Sequence, residues 1–212
     1  MSPLWLIAGR LLKSVLASRH VPFLALGAAF SFVIQMFNIP LPGGTSGHLV
    51  GSTLIAIVIG PWAAFIAVSI TIVIQAILFG DGGITAIAAN SFNIAFAMPF
   101  SGYYLFRLLS MRTPLDSTWT IFSAVIAAYI SLNIAALLVG LELGIQPLIA
   151  HAPDGRPLYF PFSLQVSVPA MLLWHLLFLG FIEAILTGLV IAYLRKADPS
   201  LLGILHGKQA KA

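Results

Sequence analysis

The stretch Pro40-Leu-Pro-Gly-Gly-Thr-Ser-Gly-His-Leu-Val-Gly51 is followed by an apolar piece that runs only to Gly60. A helix rises about 1.5 Å per residue and needs roughly 17 to 25 residues to cross about 30 Å of hydrocarbon, so this piece is too short to span a bilayer alone. Irregular backbone is tolerated at membrane depth only where it is buried in protein or lines a cavity. The simplest reading is a Gly-rich re-entrant loop that dips into the protein and starts a helix part-way down.

Outward from this loop the chain is a succession of full-length apolar segments. They run from Val21 to Asn38, Pro61 to Phe79, Ile84 to Phe106, Trp119 to Leu143 and Val168 to Leu194. The expected fold is therefore an all-α, polytopic transmembrane helical bundle of six membrane segments, one of them short. Over 212 residues, 60% are apolar and 8% charged, and the mean hydropathy is +1.05. Soluble domains carry about 25% charged residues, so a cytosolic enzyme and a nucleic-acid binder are both excluded. The chain has no cysteine, which removes disulfides, thiolate metal sites and cysteine nucleophiles.

Charge sets the direction. Arg10, Lys13, Arg19, Arg107, Arg112, Arg195, Lys196, Lys208 and Lys211 fall on one side of the six-segment arrangement, and only Arg156 falls on the other. By the positive-inside rule the first side is cytoplasmic. The expected location is the cell (inner) membrane, with the loops around Gly43 and Asp81 and the connection from Gly144 to Gln165 outside. Leu4 to Ala17 is interrupted by Arg10 and Lys13, so residues 1–20 read as a partial N-terminal helix, either interfacial or the tail of a longer helix. Residues 21–196 form the transmembrane substrate-binding domain, and 197–212 a cytoplasmic tail.

Polar and ionisable residues in membrane segments are by default functional candidates. They are His48, Asp81, Asn90, Asn93, His175 and Glu183. His48 ends a run of small residues that lets backbone and ligand approach closely, and a neutral imidazole there suits a borderline cation such as Ni²⁺ or Co²⁺. The competing reading is a histidine bonded to a buried carbonyl. Asp81 lies in Phe79-Gly-Asp-Gly-Gly83, a tight turn. Asn90 and Asn93, three apart, are expected to share a helix face and to bridge helices or orient a ligand. His175 and Glu183 are eight apart, roughly 80° around and 12 Å along a helix, so they cannot hold one ion together, and each is expected to make its own interhelical contact. A different class of function is also open. Gly44-Thr-Ser-Gly47 matches the G-x-S-G pattern of rhomboid-type intramembrane serine proteases, with Ser46 as nucleophile and His175 as base. The pattern sits in the second segment instead of the fourth, and no His-x-x-x-Asn pair accompanies it.

Several motifs in order carry a more specific likeness. Phe32-Val-Ile-Gln-Met-Phe-Asn-Ile-Pro-Leu-Pro-Gly-Gly-Thr-Ser-Gly-His48, Gly60-Pro-Trp-Ala-Ala64, Gln75-Ala-Ile-Leu-Phe-Gly-Asp-Gly-Gly-Ile-Thr85 and Ala89-Asn-Ser-Phe-Asn93 resemble the CbiM/NikM family. So do His175-Leu-Leu-Phe-Leu-Gly-Phe-Ile-Glu-Ala-Ile-Leu-Thr-Gly188 and Asp198-Pro-Ser-Leu-Leu202. Members of that family are the substrate-binding membrane components of energy-coupling factor transporters for cobalt and nickel, the cobalt branch serving cobalamin biosynthesis. The resemblance implies a non-enzymatic metal-capture subunit that takes Co²⁺ or Ni²⁺ from the outer side as cargo. Its implied partners are a transmembrane coupling (T) component, a pair of cytoplasmic ATPases and a small accessory membrane protein. The family's loop histidine falls on His48, a metal ligand, with Asn90, Asn93 and Asp81 lining or orienting the site. The family's other ligands come from a Met-His start. Here the second residue is Ser2 and the third is Pro3, which has no amide proton to give up. Either an upstream start precedes this chain, the reading we favour, or this member works without those ligands, in which case oxygen ligands such as Asp81 and side-chain amides complete the site or the substrate is neither Ni²⁺ nor Co²⁺.

Overall fold

The computed structural model of the chain describes residues 1–15, 21–43, 45–114 and 117–198. Seven helices and one small hairpin make up this part. They are α1 (Ser2–Val15), α2 (Val21–Gln35), β1 (Ile39–Leu41), β2 (Thr45–Gly47), α3 (Ser52–Ile59), α4 (Pro61–Phe79), α5 (Ile84–Ser110), α6 (Thr118–Ile149) and α7 (Leu164–Ala197). By length and composition four of them, α4 to α7, are able to cross a membrane. With α2, which at 15 residues is shorter than the full span expected of it, and the short α3, they make six segments, and the fold is an all-α membrane bundle.

The short piece is the centre of the arrangement. Seven of the eight residues of α3 are buried, so a helix too short to cross alone is enclosed by its neighbours instead of facing lipid. Pro61, which has no N–H to leave unpaired, then opens α4. Phe65 on α4 is fully buried and takes an edge-on contact from Trp5 of α1, with ring centroids 5.3 Å apart. Small residues let the helices approach closely elsewhere in the bundle as well: Ala56, Ala64, Ala67, Ala124, Ala127 and Ala128 are all inaccessible to solvent. Thr53 of α3 and Ser131 of α6 share a hydrogen bond of 2.6 Å across the same packing.

The boundaries differ from expectation in ways that have local causes. Helix α2 stops at Gln35 and not at Asn38, because the loop is partly ordered as an antiparallel hairpin in which Ile39 pairs Gly47 and Leu41 pairs Thr45. Helix α6 continues past Leu143 to Ile149, with Pro147 in its last turn. At 32 residues it is about 48 Å long and exceeds the hydrocarbon thickness. Helix α7 starts at Leu164, a turn before the expected Val168, with the Ser163 carbonyl accepting from the amides of Val166 and Ser167. The connection expected from Gly144 to Gln165 thus shrinks to residues 150–163. In helix α1, Met1, Leu4 and Trp5 pack on the central core, and Met1 stands beside Ile84 and Ile87 at the start of α5. Arg19, Lys208, Lys211 and the expected tail beyond Asp198 lie outside the described residues, as does Gly44.

Two ends of the bundle can now be distinguished. The hairpin, the Asp81 turn and residues 150–163 lie at one, the hairpin end. Arg107, Arg112, Arg195 and Lys196 lie at the other, the basic end.

Candidate metal-binding cavity

A cavity of about 270 Å³ opens within the hairpin end. At roughly 30 Å³ per water molecule it has room for a cation together with its inner waters. His48, Asp81, Asn90, Ser46, Gln75 and His175 all contribute to its wall.

The loop that carries His48 is fixed by hydrogen bonds on both sides of Val50. The amide of Val50 donates to Glu183 Oε2 at 3.0 Å and that of Gly51 to Glu183 Oε1 at 2.7 Å, while Ser31 Oγ donates to the Val50 carbonyl at 2.8 Å. Gln35 Nε2 in turn donates to Ser31 Oγ at 2.6 Å. Gly51 has φ +71°, and a Cβ there would meet the Phe30 ring at 2.5 Å, so only glycine combines this turn with this packing. At Gly47 a Cβ would run into Leu179 and come within 3.0 Å of His175 Cε1. The loop backbone and the α7 imidazole are therefore in direct apposition.

Both imidazoles are set in one tautomer. His48 Nδ1 lies 3.1 Å from the Leu49 carbonyl, and His175 Nδ1 lies 2.7 Å from the Met171 carbonyl. A carbonyl only accepts, so each Nδ1 carries the proton and each Nε2 keeps its lone pair. Metal-ligating histidines are commonly oriented in this way by a carbonyl on the second nitrogen. Burial pushes the His48 imidazole below its ordinary pKa, against the opposing effects of the Leu49 carbonyl and the Asp81 charge. The ring is thus neutral, the form that can bind a metal, at pH 7.

The remaining candidates separate. Asn90 lines the cavity, its Nδ2 3.5 Å from the Gly82 carbonyl. Asn93 is fully buried and donates to Glu142 Oε2 at 2.7 Å, joining α5 to α6 away from the cavity wall. The shared face expected of the two is lost because Ser91–Ala97 is wound as a π-helix, whose wider turn rotates the residues after Asn90. Glu183 makes the interhelical contact expected of it. His175 does not: its ring bonds within its own helix and faces the cavity. Gln35 and Gln75 also line the cavity, and Gln75 Nε2 is buried with no partner in the protein. Their positions near the hairpin ends of α2 and α4, on the same side as His48, were the signal available in the sequence. Among the described residues no three His, Asp or Glu groups are gathered closely enough to enclose a metal ion; the donors are distributed around the wall.

The serine-protease alternative finds no support. Ser46 and His175 share the cavity, yet no hydrogen bond joins them among the described residues, and the His175 Nδ1 proton is committed to Met171.

Comparison with known proteins points the same way. The chain is 44% identical over 206 residues to the Probable fused nickel transport protein LarMN of Lactiplantibacillus plantarum, an alignment covering 95% of this chain and 61% of the relative. It is 46% identical over 200 residues to the fused nickel transport protein NikMN of Rhodobacter capsulatus, covering 94% and 58%. The chain thus spans about three fifths of the length of these curated relatives. A crystal structure of a transition metal transporter superposes with a TM-score of 0.88 at 47% identity, covering 93% of this chain and 86% of that one. Residues 1–201 match the family model described as CbiM, cobalt uptake substrate-specific transmembrane region, and the chain belongs to that family.

Proposed function

We propose that this chain is the membrane-embedded capture component of a Co²⁺ or Ni²⁺ importer, and that His48 supplies a nitrogen ligand to the cation in the hairpin-end cavity. The observation that carries this reading is the pair of tautomer-fixed imidazoles, His48 and His175, lining one polar cavity at the hairpin end. Imidazole nitrogen suits Ni²⁺ and Co²⁺, whereas the hard cations Mg²⁺ and Ca²⁺ take oxygen. Asp81 and Asn90 are the oxygen donors best placed to assist or to hold bound water. Family membership and the names of the relatives add independent support.

In this reading the hairpin end faces outward and the basic end faces the cytoplasm, which the positive-inside rule supports. The chain itself makes and breaks no covalent bonds. A transmembrane coupling component and a cytoplasmic ATPase pair, joined by a small accessory membrane protein, drive it between states of different cation affinity; only such a difference lets hydrolysis release the metal inward.

The test is titration of Ni²⁺ and Co²⁺ into the purified chain in detergent, with and without a Met-His-Ile-Pro-Asp-Gly extension ahead of Ser2. Saturable binding that His48→Ala removes is the expected result. Binding by neither form, or binding indifferent to His48, overturns the proposal.

A further inference from the structure

Resting on that reading, we infer that Glu183 is the positioning residue that holds the metal-binding loop, a carboxylate clamp through which α7 sets where His48 stands. Glu183 is fully buried, eight residues along α7 from His175, and it does not line the cavity. Both of its oxygens are used on one short stretch of backbone, the amides of Val50 at 3.0 Å and Gly51 at 2.7 Å. That stretch directly follows His48-Leu49 and directly precedes α3.

The chemistry makes a carboxylate the fitting partner. The amides that precede a helix have no intrahelical acceptors, and the positive end of the helix dipole favours an anion there. Two parallel N–H groups need two acceptor oxygens. A glutamine would present one oxygen and one NH₂, so one backbone amide would face a donor. The Val50 carbonyl is held separately by Ser31 of α2, which makes the peptide between His48 and α3 a junction gripped from two helices. Gly51, with φ +71° and Phe30 at 2.5 Å from any added Cβ, lets the backbone make this turn against α2 where a residue with a side chain would not fit. On the other flank of His48, Gly47 is packed against Leu179 and His175 of the same α7. Helix α7 therefore contacts the loop on both sides of His48 and also carries the second imidazole. A displacement of α7 relative to α2 would shift His48 and His175 together and change the spacing of the two nitrogens.

Glu183→Gln tests this with two measurements on the whole chain in detergent. The first is amide hydrogen exchange without metal. Faster exchange confined to residues 45–55 is expected, and unchanged exchange there overturns the clamp. The second is calorimetric titration with Ni²⁺. A residue that positions His48 raises Kd at least tenfold at unchanged stoichiometry. A residue that only stabilises the fold lowers the binding-competent fraction at unchanged Kd, and that outcome overturns the inference. Ser31→Ala, which loosens the same junction from the other side, is expected to change both quantities in the same direction and less; it decides the matter should Glu183→Gln not fold. If the unsubstituted chain binds no metal, the proposed function fails, while the exchange measurement still decides the clamp.

Discussion

Around Phe65 the bundle is dry and closely interlocked, whereas around His48, at the hairpin end, it is polar, irregular and open enough to hold a cavity. The two regions are built from the same helices. In the first, alanines on α3, α4 and α6 bring backbones together, and the hydroxyls of Thr53 and Ser131 satisfy each other at 2.6 Å. In the second, α4, α5 and α7 each depart from α-helical winding, at Gln75–Phe79, Ser91–Ala97 and His175–Leu179. Each of these π segments lies beside or contributes to the cavity wall. A π turn inserts a residue and redirects the side chains after it, and such turns are frequent at functional sites. The closed half acts as a scaffold, and the irregular half spends regular winding on aiming polar groups inward.

Removing donors from the irregular half is expected to break binding without unfolding the scaffold. His48→Ala should weaken Ni²⁺ or Co²⁺ binding by well over 100-fold, more than the roughly 10–100-fold typical of an outer partner of a metal ligand. Titration against the purified chain measures it. His175→Asn should cost about 10–100-fold, with the melting temperature of the metal-free chain nearly unchanged. Loss of binding from neither substitution would mean that the cavity is not the metal site and that the two halves do not differ in function.

The converse substitution belongs in the closed half. A Cβ on Gly102 of α5 would collide with the Thr53 side chain and stand 3.0 Å from Ser131 Oγ. Gly102→Ala should therefore destabilise the fold by about 1–3 kcal/mol, the usual cost of overpacking, and leave the Kd of the folded fraction within a factor of about two. Thermal unfolding and titration on the same sample separate the two effects. A large change in Kd would show that the scaffold and the cavity are mechanically coupled through α3.

How much of this the sequence reveals differs between the halves for a physical reason. The shortness of the piece after Gly51 was enough to place α3 as a buried half-helix, and apolar run lengths placed the long segments, because membrane thickness imposes a length on any span. His48 could be singled out by its Gly-rich surroundings and Asp81 by its turn. The pairing of His48 with His175 could not be read, since it depends on contacts between positions 127 residues apart and on a π turn at His175 that leaves no mark on hydrophobic periodicity. The same blindness placed Asn93 beside Asn90 when its side chain reaches Glu142 instead. Run length also left the ends of two helices short, at Leu143 and Val168, where helix continues through Pro147 and begins ahead of Pro169.

The smallest expected effect is on pH dependence, and it bears on why the loop histidine stands part-buried in the cavity wall. A proton and a metal compete for the lone pair on His48 Nε2, so affinity is lost as pH falls through the pKa of the metal-free site. The ordinary imidazole value is about 6.5. Burial lowers it at His48, and the Leu49 carbonyl and Asp81 offset only part of that, so the loss must set in below that value. Between pH 7.5 and 6.5 affinity should change by less than about twofold; further down it should fall, approaching tenfold per pH unit. An exposed histidine would already have lost about half of its affinity at pH 6.5. Replacing Asp81 by Asn removes a charge that favours the protonated ring, and should move the onset to still lower pH. A curve that bends at 6.5 or above, or an onset that moves upward in Asp81→Asn, would mean that the ring is held in the metal-free protein in a more solvated setting than the hairpin-end cavity provides.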